Sequence, residues 1–312
     1  MVHSKSLKNI VKAHPDFAKS HKPKKSNPVD SGGGIAQGFT PQPKLDLKYM
    51  GGKTIQNLTF QNFYLGAASG WASSDITNID TNLGGAMTDP NLNAIYSQYY
   101  NGGLVTTTMV PSKNYPYAVP ATFDRDTVDL VLTDMLTNGA LTGLNFDSTV
   151  VNLMLPEGII LTTDTTKGGE KKAGDKDDSD SSLQGLGGYH GSSHVTDATG
   201  NAVRIYFAVG VYSKGNNGIT AFADSWKNIC CTFYHELTEA RTDPDVEEVN
   251  RGGGQSLLGW YNSTDGEIGD IPMDEAGANL SLVMVEVKLA NGTTAPIQLM
   301  YSNAVHGPEG PK

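Results

Sequence analysis

Apolar residues recur along this chain with two different spacings, and the two alternate from one end to the other. Residues 124–138 place Val128, Leu132, Met135 and Leu136 on one side at three- and four-residue intervals and stop at Asn138-Gly139, which predicts an amphipathic helix. Residues 221–241 repeat that spacing with Trp226, Ile229 or Cys230, Phe233, Leu237 and Ala240. They predict a long helix that ends at Asp243-Pro244, because the residue before a proline is pushed out of the helical region. Residues 54–65, 104–110, 149–155 and 203–211 are runs of β-branched, aromatic and aliphatic residues between turn formers, which predict strands. The last two are apolar almost throughout and suit the middle of a buried sheet. Short helices are expected at 75–83 and 91–100, and 280–289 with 296–301 form a hairpin-like pair around Asn291-Gly292. Strands and helices interleave without an internal repeat. The expected fold class is therefore α/β, a single domain with a mixed sheet and the long helix packed on it.

Charge divides the chain. Nine lysines and three acidic residues give the first 50 residues about +6, so the rest carries about −16 of the overall −10. Residues 1–47, rich in Lys, Ser, Pro and Gly, hold too few bulky apolar residues to offset their ordering entropy and are expected to be a disordered basic arm. Such an arm can tether nucleic acid or an anionic surface, but its composition reads more simply as a solvated leader, and a nucleic-acid partner is not expected. Lys5, Lys8 and Lys12 lead into Ala-His-Pro-Asp rather than an apolar run, so a secretory signal is not expected, and no window supplies the roughly 18 apolar residues of a membrane span. A cytoplasmic location is favoured over a secreted one. Cys230 and Cys231 are neighbours in the predicted helix, where side chains diverge by about 100°, so no mutual disulfide is expected. The folded body spans 48–305, with a charged loop insertion near 160–187 and a flexible tail at 306–312. Asp175, Asp177, Asp178 and Asp180 in that insertion lack the glycine and the twelfth-position glutamate of an EF-hand calcium loop.

The candidate chemistry lies on the long helix. His235-Glu236-Leu237-Thr238-Glu239 reads H-E-x-x-E, a variant of the zinc hydrolase pattern H-E-x-x-H. Four residues make one helical turn plus about 40°, so His235 and Glu239 can reach one ion, while Glu236 sits about 100° round and can take a proton from water at the metal. Carboxylate oxygen is a proper zinc ligand, so Glu239 keeps the logic of the motif. Imidazole and carboxylates on an otherwise apolar helix are costly unless a metal or partner satisfies them. Some 30 residues on, Glu267 and Asp270 sit in a glycine-punctuated turn where a third ligand could come from. Tyr234 and Tyr261 are candidates to steady an oxyanion.

The order Gly188-Tyr-His-Gly191, His235-Glu-Leu-Thr-Glu-Ala-Arg-Thr-Asp-Pro244, Gly259-Trp-Tyr261, Gly266-Glu-Ile-Gly-Asp270 and Tyr301-Ser-Asn-Ala304 resembles the EXORDIUM (phosphate-induced) family and its bacterial relatives. The likeness spans roughly residues 48–305. It implies a zincin-like metallopeptidase, with Zn²⁺ as cofactor and a peptide or cell-wall-related substrate, in which His235, Glu239, Glu267, His190 and Asp270 hold the metal and Glu236 and Tyr261 are catalytic. It equally admits a non-catalytic cell-surface or extracellular binding protein whose polar cluster is structural. Gly187 and Pro272 stand where relatives carry cysteines, which implies a cross-link lost as a unit and fits a reducing compartment. Arg241 replaces the usual apolar residue, where it could neutralise a carboxylate.

Overall fold

The computed structural model describes residues 10–13, 33–163 and 180–312. Six strands form the main sheet: β1 (Ile10–Lys12), β2 (Asn57–Leu65), β3 (Thr106–Tyr115), β4 (Thr149–Met154), β5 (Leu186–Thr196) and β6 (Ala202–Gly210). Their order is β1-β5-β6-β4-β2-β3. Strands β3, β2, β4 and β6 run parallel, β5 returns antiparallel to β6, and β1 lies antiparallel to β5. The expected mixed sheet is present. Strand β3 runs five residues beyond the predicted end and through Pro111, which is tolerated because β3 is an edge strand with no neighbour needing that missing N–H.

The helices are α1 (Ser73–Thr88), α2 (Pro90–Tyr96), α3 (Arg125–Thr137), α4 (Ser225–Thr242), α5 (Val246–Asn250) and α6 (Asp270–Ala276). Asp124 caps α3 by accepting from the Thr127 N–H at 2.8 Å, as its place before the apolar run suggests. None of the helices among the described residues is long and apolar enough to cross a membrane.

Alternation along the strands sorts side chains into two cores. Phe60, Tyr64, Val150, Met154, Tyr206 and Ala208 face α1 and α4, where they meet Ile79, Leu83, Ile229, Phe233 and Leu237. Phe63, Leu65, Val151, Leu153, Phe207 and Val209 face α3 and its Val128, Val131, Leu132 and Met135. A hairpin of β7 (Met284–Lys288) and β8 (Thr294–Gln298) packs on α1 and α4. A second short pair joins β9 (Met300–Ser302) to β10 (Gly307–Glu309).

Three expectations need correction. Residues 306–312 are not a flexible tail: β10 pairs with β9, Glu309 is buried, and the Pro311 carbonyl accepts from the Gly33 N–H at 3.0 Å. The boundary at 47 also falls inside folded chain, since Leu45 and Leu47 are buried and the Asn303 side chain bonds both the N–H and the carbonyl of Leu47 at 2.9 Å. Ile10–Lys12 adds a strand to the sheet, while 1–9 and 14–32 lie outside the described residues. Finally, β5, eleven residues long, begins inside the charged loop insertion expected near 160–187 and is a strand the sequence does not predict; 164–179, with Asp175, Asp177 and Asp178 of the acidic group, lies outside the described residues.

Strand β5 escapes a pattern search because Leu-Gly-Gly-Tyr-His-Gly is poor in β formers. Packing explains the glycines. A Cβ at Gly188 would lie 2.5 Å from the Val209 carbonyl oxygen and 2.9 Å from Thr232 Cγ2, and one at Gly191 would lie 2.6 Å from Glu247 Cβ. The strand is thus pressed against both α4 and α5.

Candidate metal centre

Register delivers the first histidine. His190 on β5 pairs with Ala208 on β6, so it shares the α4 face of the sheet, whereas Tyr189 pairs with Val209 and joins the α3 core. Helix periodicity delivers His235, Glu236 and Glu239 to meet it. The turn after Gly266 delivers Glu267 and, as first residue of α6, Asp270. His190, His235, Glu236, Glu239 and Glu267 are all 0% exposed and Asp270 is 5% exposed.

The geometry is close. Glu239 Oε2 lies 3.0 Å from His235 Nε2 and 3.5 Å from His190 Nδ1. Glu236 Oε2 lies 3.1 Å from His190 Nδ1, Glu267 Oε1 lies 3.5 Å from His190 Nε2, and Asp270 Oδ1 lies 3.9 Å from His235 Nε2. These residues form two trios whose ligand atoms lie within 4.8 Å of one another, His190–Glu239–Glu267 and His235–Glu239–Asp270. The structure therefore completes the His235–Glu239 pair with Asp270, not with Glu267, which instead joins His190.

Second contacts orient both rings. His235 Nδ1 donates to Gln298 Oε1 at 2.8 Å, and Gln298 Nε2 donates to the Gly269 carbonyl at 2.7 Å. That chain of donors leaves Nε2 as the lone-pair nitrogen aimed at Glu239 and Asp270, the tautomer a metal ligand needs. His190 Nε2 lies 3.2 Å from the Asp243 carbonyl, which positions Nδ1 toward Glu236 and Glu239 in the same manner. Glu239 Oε1 accepts from the N–H groups of Gly269 and Asp270, both at 3.1 Å, so its Oε2 is the free acceptor. Gly269 is required by this approach: a Cβ there would stand 2.5 Å from His235 Nδ1 and 2.9 Å from Glu239 Oε1.

Hydrogen-bonding capacity is left over in this cluster. His235 Nε2, Glu236 Oε1, Glu239 Oε2 and both oxygens of Glu267 have no hydrogen-bond partner. The ion pairs of Glu236, Glu239 and Glu267 go to the two imidazoles. Burial pushes the Glu236 carboxyl above its usual range and, with the nearby Glu239 charge, pushes Glu267 well above it. Burial raises Asp243 to about 7. Burial alone would lower the imidazoles, but the carboxylates outweigh it: Glu239 takes His235 up to about 9, and Glu267 and Glu236 take His190 well above its ordinary value. Glu239 is the exception among the acids, since His235 overcomes the effect of burial and lowers it. Protons are thus drawn into a site whose donor set of imidazole nitrogens and carboxylate oxygens suits a divalent transition ion.

Sequence reasoning missed Gln298 and Asp243. Gln298 is the one buried polar residue of β8, an amide that needs a partner and so the available signal for it. Asp243 reads only as the helix stop, yet its carbonyl meets His190 and its Oδ1 accepts from the Gly259 N–H at 2.9 Å. Of the two tyrosines, Tyr234 is spoken for, its hydroxyl 2.6 Å from that of Tyr96 in the apolar core. Tyr261 lies on the short strand Trp260–Tyr261, buried with Val246 and Leu258. Arg241 does not neutralise the cluster: its guanidinium bonds the Gln56 carbonyl at 3.1 Å, the Thr106 carbonyl at 3.3 Å and the Thr107 hydroxyl.

No family model matches this chain, and no curated protein is similar to it. Among solved structures, metalloproteinase-II from Bacteroides fragilis is similar over 70% of this chain and 51% of its own, at 11% identity and a TM-score of 0.30. This chain thus spans about half the length of that protein, and a likeness this low decides neither fold nor chemistry. The case for a metal rests on the buried cluster itself.

Proposed function

We propose that this protein is a metal-dependent hydrolase, zinc-loaded and peptidase-like, of the kind its EXORDIUM-like motifs imply. One observation carries the reading. His235 Nε2 and Glu239 Oε2, one helical turn apart, are each held by a second contact at the other end of the group and face one another at 3.0 Å with no further hydrogen-bond partner, and Asp270 stands beside them. A divalent ion held by these three would polarise a scissile carbonyl and acidify water beside it. Glu236 follows His235 directly, and its carboxyl, raised by burial, suits proton transfer from water to the leaving amine.

Complete burial supports a second reading, in which the metal is structural and the protein binds rather than cleaves. Under the hydrolase reading the chain over the site must move to admit substrate. Residues 243–247 cross β5 there, with the Asp243 carbonyl on His190 and Glu247 over Gly191. Glu236→Gln separates the readings. In a hydrolase it retains the wild-type metal content and melting temperature while cleavage of a fluorogenic peptide library falls at least about 100-fold. Metal-loaded wild-type protein that cleaves nothing in that library supports the structural reading, and a variant that cleaves like wild type removes Glu236 as the base.

A further inference from the structure

We infer that the cluster is built for two divalent ions bridged by Glu239, not for one. This rests on the metal-centre reading above and deepens it. The ligand atoms fall into two trios that share Glu239 alone, with His190 and Glu267 on one side and His235 and Asp270 on the other. Ligands of a single zinc stand about 2.0–2.2 Å from it, so no two can be much more than about 4.4 Å apart. The two imidazoles belong to no common group even at 4.8 Å, so one ion does not collect both without rearrangement.

Each trio is complete in itself. Each contains one histidine and two carboxylates; His235 has its other nitrogen tied back to Gln298, while His190 meets the Asp243 carbonyl and Glu267 at Nε2 and Glu236 and Glu239 at Nδ1. Three protein ligands per ion leave an open position, as in catalytic sites. Glu239 suits the shared role because its Oε1 is anchored by two backbone N–H groups, which leaves Oε2 between the rings, 3.0 Å from His235 Nε2 and 3.5 Å from His190 Nδ1. Both oxygens of Glu267 lack hydrogen-bond partners, although the His235 trio does not use that residue. Two ions side by side suit displacement at a carbonyl or phosphoryl centre, since attacking and leaving oxygens are stabilised together.

The test is stoichiometry on the full chain. Metal-free protein is loaded with Zn²⁺ or Mn²⁺, desalted and assayed for bound metal, and the Mn²⁺ form is examined by electron paramagnetic resonance. Two equivalents and an exchange-coupled Mn²⁺ signal are expected, with His190→Ala and Asp270→Asn each reduced to one equivalent and an uncoupled signal. One equivalent in the wild type, whatever the variants do, overturns the two-ion centre and leaves the hydrolase reading standing. No retained metal overturns both.

Discussion

Glu239 and Arg241 stand two residues apart on α4, both completely buried, and the fold treats their charges in opposite ways. The Arg241 guanidinium is surrounded by neutral oxygens, two of them main-chain carbonyls, with the Tyr96 ring 5.9 Å away. Its cost of burial, which lowers its pKa, is offset at the two terminal nitrogens by polar groups already in the chain, while Nε has no partner. Glu239 faces the other way, into an acidic group where oxygens lack donors. Had α4 turned Arg241 toward Glu239, the two would neutralise one another and the cluster would attract no ion. Keeping them apart leaves the arginine bonded by the chain itself at both terminal nitrogens and the carboxylates open to a cation from outside.

That contrast predicts substitutions of opposite sign. Arg241→Met strands the carbonyls of Gln56 and Thr106 and should cost roughly 3 kcal/mol in urea unfolding, with or without Zn²⁺. Glu267→Gln should raise the stability of metal-free protein by about 1 kcal/mol, because a neutral amide replaces a carboxyl whose charge is disfavoured by burial and by Glu239, and should shrink the stabilisation gained on adding Zn²⁺. A Glu267→Gln protein that loses stability in both states would show that the acidic region is as well bonded by the chain as the arginine, and the contrast would fail.

Acidity gives a gentler probe. Without metal, Asp243 is raised to about 7 and His235 to about 9, so their contributions are fully present below their unfolded values and are lost as pH climbs through 7 and then 9. Glu267 and Glu236 shift in the same direction. Melting temperature in a chelator should therefore fall from pH 5 to pH 9 by on the order of several degrees. Zn²⁺ should restore more at pH 9 than at pH 5, because ligands must lose protons to bind it. Thermal scans at the two pH values, each with and without Zn²⁺, check both signs; a metal-free protein that melts higher at pH 9 contradicts them.

Local pattern made much of this legible. The period of α4, its stop at Asp243-Pro244, the β2, β4 and β6 runs and the capped α3 all follow from contiguous residues whose spacing reports backbone geometry. The adjacency of His235, Glu236 and Glu239 needs nothing more than helical pitch. Strand β5 was hidden because its glycines answer to α4 and α5 rather than to strand propensity, and the end of the chain was hidden because Gly307–Glu309 is ordered by its pairing with β9. Gln298 gave little sign of its role, since only the fold places it at His235 Nδ1.

By itself, then, the sequence determined which side chains could do metal chemistry and that three of them share a helix. Tertiary structure decided their company: register turned His190 toward α4, the glycine at 269 let Asp270 rather than Glu267 close on His235, and Arg241 was sent to the far side. The reason is physical. Periodicity constrains neighbours along the backbone, whereas the balance of buried charge depends on residues from 190 to 298 that meet only when sheet, helix and hairpin pack together.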